Sequence, residues 1–261
     1  MNRLSKGPSH EGKSGVLEVS FLTEKIGAAV NHGNYFYYTE DGGRTWRETR
    51  LDTDPCLGIP CMVDAKTIAV GGLWDSVRIS TDAGLTWTST DLKGYSKVSM
   101  VDSRTGFFAM NFAIRGIGPV AGEPKVIPKP EGIGKIVALS GFSAAGLAVM
   151  DAAGALAVSG DAGKTWRIGS PIALAGRTLA LGENFTALQF INASRGIAVC
   201  FDSAAQEWLA LSTEDGGSVW KTESLLKSGF GYCSVSRDMK FVTIVPTSGD
   251  YKIIVLKNTG T

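Results

Sequence analysis

Four copies of one octet, a fainter repeat of about 40 residues and the lack of any long helical pattern predict an all-β chain. The expected form is a single β-propeller of about six four-stranded blades. The octets are Thr39–Trp46, Ser80–Trp87, Ser159–Trp166 and Thr213–Trp220, and all read Ser/Thr-x-Asp-x-Gly-x-Thr/Val-Trp. Each position has a task in a hairpin. The hydroxyls of Thr39, Ser80, Ser159 and Thr213 and the carboxylates of Asp41, Asp82, Asp161 and Asp215 can accept hydrogen bonds from loop N–H groups. Gly43, Gly84, Gly163 and Gly217 supply positive φ. Thr or Val resumes an extended strand, and Trp46, Trp87, Trp166 and Trp220 cover the hairpin with a large apolar face.

The fainter repeat places the blades. The run Phe21–Val30 aligns with Cys61–Val70, Met100–Ala109, Ser140–Val149 and Phe190–Val199, and more weakly with Cys233–Val242. In each copy an apolar run meets a turn and is followed by a strand of small residues, such as Ala28-Ala29-Val30. A third strand leads into the octet and a fourth leaves its Trp. These spacings put blade starts near residues 16, 57, 97, 136, 186 and 232, with residues 15–261 forming the propeller and 1–14 a polar N-terminal segment, either disordered or a closing strand. Two copies break the pattern. The third has the Pro- and Gly-rich run Arg115–Pro130 where its octet would fall, and reads either as a degenerate blade with an extended loop or as a blade partly unfolded from the ring. The sixth has no octet and needs a closing strand from the N-terminus, for which residues 1–14 are a poor template. Ile172–Leu181 and Ser224–Ser228 read as short helical pieces.

Composition narrows the function classes. With 26 Lys and Arg against 25 Asp and Glu, the net charge is +1, too small for the long-range field that gathers nucleic acid or anionic membranes. No run of 18 apolar residues suggests membrane insertion, and the polar opening does not read as a signal peptide. Cys56, Cys61, Cys200 and Cys233 match no metal-ligand spacing; their even count permits disulfides without requiring them, and buried free thiols on strands are the favoured reading, with no metal or cofactor expected. A row of calcium-binding carboxylates is disfavoured, because each octet offers one carboxylate and calcium needs several oxygens.

The octets resemble the bacterial neuraminidase repeat, or Asp box. The whole blade pattern, with its apolar strand ending near Phe21, then Gly27–Val30, then the Asp41 octet, is most similar to proteins of the photosystem II assembly-factor type. It is more distantly similar to sialidase and sortilin-type propellers. The resemblance covers residues 15–261 and implies hairpins joining third and fourth strands, on the side away from the functional face. On that implication the octet residues are scaffold, and exported location is favoured.

The opposite face would collect the turns between second and third strands and the linkers between blades. Its candidate binding residues are His32, Asn34, Trp74, Asp75, Arg115, Asp151, Arg177 and Asp202, with Tyr95 among further linker residues. Each also has a plainer reading as a turn residue, a solvated side chain or a blade-interface cap. The favoured function is a non-catalytic scaffold presenting that face to a protein. The alternatives are a lectin stacking a sugar on Trp74 or Tyr95, and a glycoside hydrolase using acids such as Asp75, Asp151 or Asp202. The Phe/Tyr-Arg-Ile-Pro sequence that carries the first arginine of sialidases is missing.

Overall fold

In the computed structural model, residues 2–3, 17–31, 33–51, 58–72, 76–118, 124–169, 171–174, 177–178, 186–246 and 253–257 are described. They form six four-stranded antiparallel sheets and no helix. Blade 1 comprises Leu17–Phe21, Gly27–Asn31, Tyr35–Thr39 and Arg47–Arg50. Blade 2 comprises Cys61–Met62, Ile68–Val70, Ser76–Ser80 and Thr88–Lys93. Blade 3 comprises Lys97–Met100, Gly106–Met110, Ala113–Ile117 and Lys125–Ile127. Blade 4 comprises Ile136–Gly141, Leu147–Asp151, Leu156–Ser159 and Arg167–Ile168. Blade 5 comprises Thr186–Phe190, Gly196–Asp202, Glu207–Thr213 and Lys221–Lys227. Blade 6 takes Gly231–Val235, Phe241–Pro246 and Ile254–Lys257, and its outer strand is Asn2–Arg3.

The core is divided among the blade interfaces. Six apolar clusters fill the six junctions between neighbouring blades. A sheet with two apolar faces must be covered on both, and a closed ring covers every sheet with its neighbours. Small residues of the second strands, such as Ala28 and Ala29, leave room for large ones opposite, such as Phe36 and Tyr37, all buried.

Two readings left open by the sequence are decided here, and two expectations change. The boxless third copy remains a complete blade, because Lys125–Ile127 pairs with Ile114–Gly116 across the Pro/Gly-rich run. Asn2–Arg3 pairs with Ile254 and Val255, so the polar N-terminus does contribute a closing strand; an outer edge needs backbone pairing rather than an apolar side chain. The described residues of the proposed helical pieces form no helix. Ser224 lies in the outer strand of blade 5, and Ala173–Leu174 pairs with Arg177–Thr178 in a small hairpin. The repeat register also shifts. Strand pairing makes Phe21 equivalent to Met62, Met100, Gly141, Phe190 and Val235, each facing the first residue of its second strand or its counterpart.

Each octet joins a third strand to a fourth. The first-position hydroxyl accepts from the octet glycine N–H at 2.9 Å in Thr39 and 2.8 Å in Ser80, Ser159 and Thr213. It donates to the octet carboxylate at 2.8–2.9 Å. That carboxylate then accepts the N–H of Thr45, Thr86, Thr165 or Val219. In the first three octets it also accepts the threonine hydroxyl at 2.6 Å. These bonds to the charged form, led by the threonine hydroxyl, hold Asp41, Asp82 and Asp161 down at about 2. Asp215 is lowered chiefly by the Val219 N–H, since Val219 has no hydroxyl.

The octets bind neighbouring parts as well. The residue before each octet glycine donates its N–H to the first turn of its own blade: Gly42 to Lys25, Ala83 to Lys66, Ala162 to Ala145 and Gly216 to Ser194. Octets and first turns therefore share one face. Gly84 has φ +80, and a Cβ there would lie 2.1 Å from Phe36 of blade 1; both facts require glycine. Trp46, Trp87, Trp166 and Trp220 each pack on the cluster between their own blade and the preceding one.

Candidate functional site

Because strands alternate in direction, the turns between second and third strands lie opposite the octets, together with the linkers between blades. This is the loop face, and the inner strands run from it toward the octet face. Among the candidate residues, His32, Trp74 and Asp75 lie outside the described residues, as does the side chain of Arg177. The others are placed apart around the ring. Asn34 sits in the blade 1 turn at φ +66, where asparagine is tolerated. Asp151 is 4% exposed; its carboxylate accepts the N–H groups of Ala153 and Ala155 at 2.9 Å and of Gly134 at 2.8 Å. It thereby ties the linker entering blade 4 to that blade's own turn. Asp202 caps the blade 5 turn by accepting the Ala204 N–H at 3.0 Å. Arg115 stands on the third strand of blade 3 rather than in the Gly/Pro-rich loop, and its Nε donates to the Tyr95 hydroxyl at 3.1 Å. Tyr95 is buried by the packing between blades 2 and 3, which removes it as a sugar-stacking platform.

Among the described residues, two aromatic side chains on this face are strongly exposed. Phe112, in the blade 3 turn, is 60% exposed and Phe230, in the linker entering blade 6, is 43% exposed. The Lys129 ammonium lies 5.9 Å from the Phe112 ring centroid, and Phe201 packs edge-on to Phe230 at 6.4 Å.

The inner strands enclose an axial channel with about 230 Å³ of free volume. It is lined from all six blades, by residues including Glu18, Cys61, Lys97, Val137, Thr186 and Ser234. A girdle of small polar side chains stitches the inner strands together. Cys61 Sγ accepts the Met100 N–H at 3.3 Å. Ser99 and Ser140 accept the N–H groups of Gly141 and Phe190 at 2.8 Å, and Ser234 donates to the Val19 carbonyl at 2.8 Å. On the octet side Arg237, from blade 6, reaches across to blade 3 and donates to the carbonyls of Met100, at 3.2 Å, and Val101.

Glu18 is the exceptional group of the channel. Burial pushes its carboxyl up to about 7, partly opposed by the Lys97 ammonium. Tyr232 is raised by burial and by Glu18. Sequence reading by loops passed over Glu18 and Lys97 because they lie on strands. The available signal was a charged residue inside the short inner-strand runs Leu17–Phe21 and Lys97–Met100. The thiols of Cys61, Cys200 and Cys233 are free and raised mainly by burial, Cys200 to about 12. No group of three or more His, Cys, Asp or Glu suited to a metal occurs among the described residues.

The described blades define a six-bladed antiparallel β-propeller. No family model and no curated protein matches the chain. Solved structures do. YCF48 bound to D1 peptide aligns with a TM-score of 0.59 at 12% identity, over 97% of each chain. YCF48 from Cyanidioschyzon merolae aligns at 0.56 and 12% identity, over 95% of this chain and 97% of that one. An ancestral GH74 enzyme aligns at 0.60 and 13% identity over 98% of this chain, which spans 38% of the enzyme chain. At these identities the shared property is the fold.

Proposed function

We propose that this chain is a non-catalytic propeller scaffold that presents its loop face to a protein partner, with the octets acting as Asp-box hairpins that hold the ring. The observation that carries this reading is the pair of exposed aromatics, Phe112 and Phe230, on the loops of a rigid ring. The described acids on the same face support it, since Asp151 and Asp202 are engaged by backbone N–H groups. The D1 peptide named with YCF48 shows that a ring of this fold can carry a peptide, and provides a precedent for a protein partner here.

Selection of peptides from a displayed library on the immobilised protein tests the proposal. Selected peptides should lose at least about tenfold in affinity on the double variant Phe112→Ser, Phe230→Ser, as expected when aromatic anchors are removed. They should keep their affinity for Leu85→Ser, an exposed change on the octet face. Turnover of an aryl-glycoside or sialoside panel, abolished by Asp151→Asn or Asp202→Asn without loss of fold, would overturn it.

A further inference from the structure

Phe112 and Phe230 stand on opposite sides of the channel mouth. Phe112 lies in the turn between the second and third strands of blade 3, and Phe230 immediately precedes the inner strand of blade 6, the blade across the ring. A partner that touches both therefore crosses the mouth. It does not thread the channel, because Arg237 bars the octet end: it donates to the carbonyls of Met100 and Val101 and faces the Asp102 carboxylate. The channel is narrow enough for this one side chain to bridge. Strands within a blade lie ~4.8 Å apart, so the two phenylalanines are separated by roughly 20 Å, the length of about six extended residues.

The mouth itself is polar. Inner strands begin there, and Glu18, Lys97 and Thr186, from blades 1, 3 and 5, line it. The Lys97 ammonium acts on the Glu18 carboxyl, so these charges answer one another and call for no charged group above them. Thr186 differs. It is 4% exposed, and its hydroxyl has no hydrogen-bond partner. Such a hydroxyl is costly to leave unpaired, and a peptide group lying over it would supply the missing bond. We propose that the partner element is a single extended segment lying across the mouth, with apolar side chains six positions apart on Phe112 and Phe230, a neutral polar middle, and a backbone carbonyl accepting the Thr186 hydroxyl. This rests on the scaffold reading above and adds the form of the partner and a third contact. Positions six apart fall on one side of an extended chain, so both ends face the ring. A helix would spend its carbonyls on its own N–H groups. A broad globular face would rest on the rim and leave Thr186, recessed in the channel wall, unreached.

Linear peptides of about 12 residues, ample for a span of six, selected from a displayed library on the wild-type protein are the probes, with affinities measured by calorimetry. They should lose at least about tenfold on Phe112→Ser and, separately, on Phe230→Ser. Removing two residues between their apolar positions should cost at least about tenfold on the wild-type protein, because the ends then no longer reach both rings. Thr186→Val should weaken binding about fivefold while raising the melting temperature of the free protein, since valine has nearly the same shape and removes an unpaired buried hydroxyl. A purely structural role for Thr186 would move the melting temperature and leave the affinity unchanged. Circular dichroism verifies folding, and the shortened peptides decide the matter on the wild-type protein even if a variant does not fold. Peptides sensitive to only one phenylalanine, or indifferent to shortening or to Thr186→Val, overturn the proposal and leave the scaffold reading standing. Peptides indifferent to both phenylalanines, or a library that yields no binder, defeat the scaffold reading as well.

Discussion

A single hydroxyl separates the octets electrostatically. Asp41, Asp82 and Asp161 each accept a threonine hydroxyl at 2.6 Å, whereas the fourth octet has Val219 at that position. Thr165→Val should therefore raise the Asp161 titration midpoint from about 2, read by carboxyl-carbon NMR. An unchanged midpoint would show that backbone donors alone hold it. The linkage has a definite sign. A carboxyl depressed in the folded state stabilises the fold above its unfolded value near 4, and that stabilisation is lost as pH falls toward 2. The hairpins thus hold their acid form at bay across the neutral range, and Thr165→Val should begin acid unfolding at a higher pH than the wild type.

At the scale of strands, the inner elements do two incompatible things. Ser99, Ser140, Ser234 and Cys61 satisfy backbone or carbonyl groups of adjacent blades, so these polar residues strengthen the packed centre. Glu18 is a burden when charged. Its raised carboxyl contributes stability that is complete below the unfolded value near 4 and lost as pH rises through about 7. Glu18→Gln should consequently flatten the stability profile between those values and exceed the wild type above pH 8, by up to ~3 kcal/mol on the size of the shift. Urea midpoints measured from pH 4 to 8.5 check this. Parallel profiles for the two proteins would remove Glu18 as their source. Such a cost at a channel wall is more often met at a functional position than in plain scaffold.

Across the whole ring, closure is the critical step. Each of the six interfaces carries its own apolar cluster, and octet tryptophans cover four of them. The interfaces between blades 2 and 3 and between blades 5 and 6 have none, and they lie opposite one another. At the 5–6 junction the buried Trp208 fills the space from a third strand instead. Blade 6 is completed by Asn2–Arg3, residues far in sequence from Ile254–Lys257. Removing residues 1–3 should lower the melting temperature by several degrees and expose an edge strand that promotes self-association, seen by light scattering. A truncated protein with unchanged melting and no association would show that the ring closes through its apolar interfaces alone.

The sequence alone determined the class of fold and the place of the octets, because these rest on local chemistry repeated in order. A hydroxyl, a carboxylate, a glycine and a tryptophan at fixed offsets specify one hairpin wherever they occur. Local reading failed at positions defined by remote neighbours. The faint register slipped in three copies, since Met62, Gly141 and Val235 match Phe21 by strand pairing rather than by resemblance. Asp151 reads as a loop acid, yet its partner Gly134 belongs to the preceding linker. Arg115 reads as loop-borne because the following Pro and Gly obscure a strand that pairing across the blade maintains. Only the tertiary structure gathered Glu18, Lys97 and Thr186 from three alternate blades around one axis. Ring closure creates that axis, and no segment of sequence contains it.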